Sequence, residues 1–127
     1  MRLKINMEYR YYNPSPAGRN VGDCTIRALS KALGQPWAET YIGLTVQGLI
    51  MSDMPSSNAV WGEYLRSKGF IRRLAPDNIT VREFAEMHPN GTYILALSGH
   101  VVCIQNGTLY DSWDSSREIV LYYWQKG

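Results

Sequence analysis

Cys24 and His100 are the two residues of this 127-residue chain whose types and positions best suit nucleophilic chemistry. Cys24 opens a stretch in which Ile26, Leu29 and Leu33, with the small Ala28 and Ala32, recur at helical spacing as far as Gly34. A thiol in the first turn of a helix meets free backbone N–H groups and the positive end of the macrodipole, which favour the thiolate. Asp23 beside it opposes ionisation, so the helix effect needs a neighbouring imidazolium or another cation such as Arg27, one turn on. A cysteine at such a position is equally compatible with a buried structural role.

The partner for the thiol comes from a hairpin. Asn106-Gly107 between two alternating runs favours a two-residue turn that sets Gln105 opposite Thr108. Carried back along the ladder, this register pairs Val102 with Asp111 and His100 with Trp113. Side chains alternate along a strand, so His100 and Asp111 share a face and lie diagonal to each other, roughly 7–8 Å apart at the backbone. Asp114 and Cys103 fall on the opposite face, which selects Asp111 over Asp114 and Cys24 over Cys103. A cysteine nucleophile, a histidine that takes its proton and a carboxylate that fixes the histidine tautomer make an activated-nucleophile arrangement. Singly, a histidine on a sheet is often scaffold and an aspartate after a hairpin often caps a turn; their order and shared face together favour a site.

The elements that must hold these residues can be read along the chain. The opening LKINMEYRYY reads as a strand closed by Asn13-Pro14. Asp23 is a suitable N-cap for the first helix, which presents Arg27, Ser30 and Lys31 on its polar side. A second helix runs from Trp37 to about Ile50, with Tyr41, Leu44, Leu49 and Ile50 offered to a core, and a third from Ala59 to Lys68 buries Val60, Trp61, Tyr64 and Leu65. Phe70 to Leu74 is a short extended piece. Thr80 and Glu83 have capping-box spacing for a helix ending near His88-Pro89. Four successive segments, TYILALS, HVVCIQ, TLYDSW and EIVLYYW, predict an antiparallel meander. The layout is α+β in a single domain, residues 1–127: an N-terminal helical half, with the cysteine-bearing helix packed on a C-terminal antiparallel sheet.

These residues resemble the papain-like cysteine peptidase superfamily. Gly22-Asp23-Cys24-Thr25 ahead of an apolar helix is similar to the family's cysteine-bearing helix, and Gly99-His100-Val101-Val102 to its histidine strand. Asp111-Ser112-Trp113 is similar to the family's Asn-Ser-Trp element, which implies that Asp111 orients His100 and that Trp113 shields their hydrogen bond from water. Compact bacterial and phage members keep this order at about this length. The family's oxyanion glutamine, six residues before the nucleophile, is Gly18 here; Asn20 is the nearest amide and would take that role with the Cys24 N–H, or else serves as an Asx-turn residue of the loop.

The resemblance implies a cysteine peptidase or isopeptidase-like hydrolase acting on a peptide or protein through a thioacyl intermediate, without a cofactor. An acyltransferase with the same triad, or a catalytically weak binding protein such as a phage factor that sequesters a host component, are the alternatives. A formal charge of +2, from 13 Lys and Arg against 11 Asp and Glu, argues against a nucleic-acid partner. No apolar run approaches the ~20 residues of a membrane span, and the N-terminus lacks a signal-like apolar stretch, so the chain reads as cytosolic. A zinc site from Cys24, His88, His100 and an aspartate fits no ligand spacing; His88 is placed to cap a helix end instead. Arg66, Lys68, Arg72 and Arg73 form the one basic cluster, a solvated helix end or a site for an acidic group.

Overall fold

Most element boundaries lie close to where the sequence predicts them. The computed structural model describes residues 7–127, so the Leu3–Asn6 part of the expected first strand lies outside the described residues. The elements are β1 (Glu8–Tyr11), α1 (Cys24–Leu33), α2 (Trp37–Met51), α3 (Asn58–Ser67), β2 (Phe70–Leu74), α4 (Val81–Met87), β3 (Thr92–Leu97), β4 (His100–Gln105), β5 (Thr108–Asp111) and β6 (Tyr122–Lys126). The fold is α+β, with four helices and a six-stranded mixed sheet among the described residues. The Thr80 capping box forms in full: the Glu83 N–H donates to Thr80 Oγ1 and the Thr80 N–H donates to the Glu83 carboxylate. His88 caps the other end of α4, its Nδ1 lying 2.9 Å from the Phe84 carbonyl oxygen.

The sheet order is β1-β5-β4-β3-β6-β2. This corrects the expected meander in two respects. β1 joins the sheet parallel to β5, and β6 pairs with β3 and β2 rather than with β5. The reason lies in β3, which is buried from Tyr93 to Leu97 and needs a neighbour on each side for its backbone groups. The chain therefore leaves β5 at Asp111 and crosses the end of the sheet. The Val81 and Arg82 N–H groups hold the crossing segment through the Glu118 and Ser116 carbonyls, and the Leu121 N–H then docks on the Ala96 carbonyl. Glu118–Leu121, expected to be strand, contributes one isolated bridge between Ile119 and Thr80.

Two cores form, one on each face. α1, α2 and α3 cover the face of Ile94, Ala96, Val101, Cys103 and Trp124. α4, with Ile79 and Val120, covers the face of Leu95, Leu97, Val102, Ile104 and Leu109. α2 packs differently from its predicted face: Thr40, Leu44 and Gly48 are buried, whereas Tyr41, Leu49 and Ile50 are exposed. Close approach decides this. A Cβ at Gly43 would lie 2.6 Å from the Tyr64 ring and one at Gly48 2.7 Å from the Asp53 carbonyl oxygen, so the small-residue face is the one that fits α3 and the loop before it. On α1, Arg27 and Ser30 are buried rather than turned to solvent.

The β4–β5 register is the one Asn106-Gly107 predicts, with Gln105 opposite Thr108 and Cys103 opposite Tyr110. Both turn residues have positive φ, 50° at Asn106 and 77° at Gly107, as this turn requires. A Cβ at Gly107 meets nothing closer than 3.8 Å, so Gly107→Ala isolates the backbone cost. It should lower stability by about 1 kcal/mol and the melting temperature by about 4 °C; a melting curve unchanged from the native chain would contradict this reading of the turn.

Candidate active site

The first residue of β4 and the last of β5 bring His100 and Asp111 to the same rim of the sheet. His100 Nε2 lies 2.7 Å from Asp111 Oδ2. This engages one ring nitrogen and leaves Nδ1 for another partner. By strand alternation both side chains belong to the α4 face, whereas α1 packs on the opposite face against Val101 and Cys103. They meet α1 only because each stands at the end of its strand, where the N-terminus of α1 reaches the rim. There Cys24 lines the same cleft as His100 and Val101.

The electrostatics separate the two thiols. Partial burial pushes the Cys24 thiol up, but the hydrogen bonds with His100, Val101 and Thr25 and the charge of His100 outweigh it, and its pKa is lowered. Complete burial pushes the Cys103 thiol up to about 12, with only Lys31 working against it. Both cysteines are free. Burial disfavours the charged form of His100, yet its hydrogen bonds to Asp111 and Cys24 and their negative charges raise its pKa to about 9. The two shifts run in opposite directions, Cys24 down and His100 up, and both favour a thiolate beside an imidazolium.

Asp111 is 1% exposed and fully engaged. Oδ2 accepts from His100 Nε2 and, at 2.8 Å, from the Ser115 hydroxyl; Oδ1 accepts from the Ser112 N–H at 2.7 Å and from Arg27 at 3.3 Å. Arg27, 3% exposed, also donates to Asp23 at 2.8 Å, and Asp23 accepts from the Trp37 indole N–H at 2.7 Å. Charge alternates from Asp23 through Arg27 and Asp111 to His100, and each buried group is compensated by its neighbours.

Asp23 thus occupies the N-cap position of α1 without a side-chain cap bond, its oxygens being taken by Arg27 and Trp37. Arg27 is not a free cation for the thiolate but a bridge between two carboxylates. Sequence reasoning did not find this bridge, nor Ser115 and Trp37; the i, i+4 spacing of Asp23 and Arg27 was its one visible trace.

Trp113 lies beyond the end of β5, not opposite His100 in the ladder as expected, yet its ring stacks on the His100 imidazole with centroids 5.0 Å apart. Asp114 is exposed and its carboxylate accepts from the Ser116 N–H. Asn20 is exposed as well. Its side-chain oxygen accepts from the Gly22 N–H in an Asx turn, the alternative open to it in the sequence. The cleft that holds Cys24 and His100, about 300 Å³, is walled instead by Asn58, Ser56, Trp61 and Tyr122. Asn58 Oδ1 accepts from the Trp61 indole N–H at 3.0 Å, leaving its NH₂ as the group it can offer to a bound molecule. No group of three His, Cys, Asp or Glu side chains among the described residues is arranged to hold a metal ion, and no helix among them is long and apolar enough to cross a membrane.

Comparison with protein-family models, with curated proteins and with solved structures finds no match to this chain.

A group whose folded-state pKa is raised stabilises the fold fully below its ordinary value, 6.5 for histidine, and that share is lost as pH rises through about 9. An NMR titration of the His100 ring should accordingly show the imidazolium through neutral pH with a midpoint near 9. In Asp111→Asn the midpoint should fall toward 6.5. A native midpoint at the ordinary value would show that the pair does not hold its proton as described.

Proposed function

We propose that this chain is a cysteine hydrolase with a papain-like fold, cleaving an amide bond in a peptide or protein with Cys24 as nucleophile, His100 as acid and base and Asp111 as the residue that orients His100. The observation that carries the reading is the meeting in one cleft of Cys24, at the mouth of α1, with the hydrogen-bonded pair His100 and Asp111, the thiol's pKa being lowered and the imidazole's raised. The other free thiol, Cys103, is shifted the opposite way, up to about 12 by burial.

The thiolate needs no proton removed before it attacks a carbonyl carbon. The oxyanion that forms at the carbonyl lies near the start of α1, where the Cys24 N–H and the helix dipole favour negative charge. Asn58, on the cleft wall, suits the second donor better than Asn20, whose oxygen is turned to Gly22. Imidazolium His100 gives its proton to the leaving amine as the carbon–nitrogen bond breaks, and the thioacyl group stays on Cys24. Neutral His100 then takes a proton from water, whose oxygen attacks the thioester, releases the acid and restores the thiolate and imidazolium. Asp111 keeps Nε2 as the protonated nitrogen and Nδ1 toward the sulfur throughout. Trp113, stacked on the imidazole, covers one side of the pair against water.

Iodoacetamide at neutral pH should modify Cys24 at least 10²-fold faster than Cys103, and His100→Ala should remove most of that advantage. Incubation with a proteome-derived peptide library should yield new termini with the native chain and none with Cys24→Ala. Equal sluggishness of the two thiols, or identical peptide products from the native chain and Cys24→Ala, would overturn the hydrolase reading.

A further inference from the structure

The cleft does not end at the nucleophile. Asn58 and Tyr122, both on the wall around Cys24 and His100, also border a second recess of about 490 Å³ between α3, β2 and β6. Gly62 and Trp124 line it, and a Cβ at Gly62 would stand 2.9 Å from the Trp124 ring, so any larger residue there would press on the wall. Trp124 is 3% exposed, and its indole N–H is the one buried side-chain polar atom without a hydrogen-bond partner among the described residues.

The charge around this recess is uneven. Arg66 lies 5.4 Å from the Trp124 ring and is paired with Glu63, the one carboxylate on the wall. Arg72 has no carboxylate partner among the described residues; its guanidinium lies over the Tyr122 ring at 4.0 Å. A guanidinium over a phenol ring with no carboxylate partner has N–H donors left for a planar acceptor, and a carboxylate matches its fork. Arg72 is opposite Trp124 in the β2–β6 register, which puts it on the α3 side of the sheet, while Arg73, the next residue, donates to Gln125. The recess on the other side of Cys24 is apolar in character, walled by Ile26, Tyr41, Leu44 and Pro55.

We infer that the substrate of the proposed hydrolase is a peptide carrying an acidic side chain a few residues from the scissile bond, and that Arg72 receives this carboxylate beside Tyr122. The inference rests on the hydrolase reading for its substrate class, and the test separates the two. Two amidated peptide pools, alike except for Glu or Lys scattered through otherwise neutral positions, are compared for protection of Cys24 against iodoacetamide. The Glu pool should protect at a concentration about five- to tenfold lower than the Lys pool. The preference should vanish in Arg72→Ala and reverse in Arg72→Glu, each protection being read against that variant's own alkylation rate without peptide. Arg73→Glu, which alters the net charge equally at the neighbouring position, should keep the preference. Equal protection by the two pools, a preference that survives Arg72→Glu, or one that Arg73→Glu abolishes would overturn the subsite. A Cys24 that reacts no faster than an ordinary thiol defeats the hydrolase reading instead, while the protection ratio still reports on Arg72.

Discussion

A buried carboxylate is stable only where donors replace the water it has lost, and the arrangement around Asp111 follows from that requirement. Its four donors come from α1, β4 and the segment that crosses the end of the sheet. Their convergence fixes the His100 ring, the path of the chain after β5 and the seating of α1 at once. Arg27 is central to the balance. Without it, two carboxylates, Asp23 and Asp111, would share a buried region with one imidazolium, and breaking such a set commonly costs about 3–5 kcal/mol. The network that holds the first turn of α1 includes the carboxylate that charges His100, so the seating of α1 and the charge of His100 are linked through a single guanidinium.

The sheet topology makes that convergence possible. Strand alternation sends His100 and Asp111 to the face away from α1, and in the middle of a strand the thiol could not reach them. Placement at the first rung of β4 and the last of β5 removes the obstacle. The crossing segment then has two tasks: it supplies Ser112 and Ser115 to the carboxylate and it carries the chain to the far side of β3, where β6 completes the sheet. β6 in turn brings Tyr122 and Trp124 to the cleft and its extension.

Much of the site is legible in the sequence because its chemistry is local. Asn106-Gly107 fixes a turn, the turn fixes a register, and the register puts Asp111 beside His100; the apolar spacing after Asp23 puts Cys24 at a helix start. The residues that sequence reasoning misplaced depend on long-range packing. Whether Arg27 is solvated or buried is decided by Asp111, 84 positions away. The face α2 presents is decided by how closely Tyr64 approaches Gly43, and the neighbour of β6 by the need of β3 for partners on both sides. Asn20 offered two roles, and its own loop satisfies the local one. Alternation rightly separates Cys103 from His100, but it does not by itself bring Cys24 to His100; the strand end does.

The central claim is that Cys24 and His100 share their proton as a thiolate and an imidazolium. Thiolate ultraviolet absorbance, recorded as the native chain minus Cys24→Ala across a pH titration, tests it most directly. The account predicts a thiolate signal already present at neutral pH and lost only on acidification. A signal that emerges only as pH rises through about 8.5, the range of an unperturbed cysteine, would contradict it.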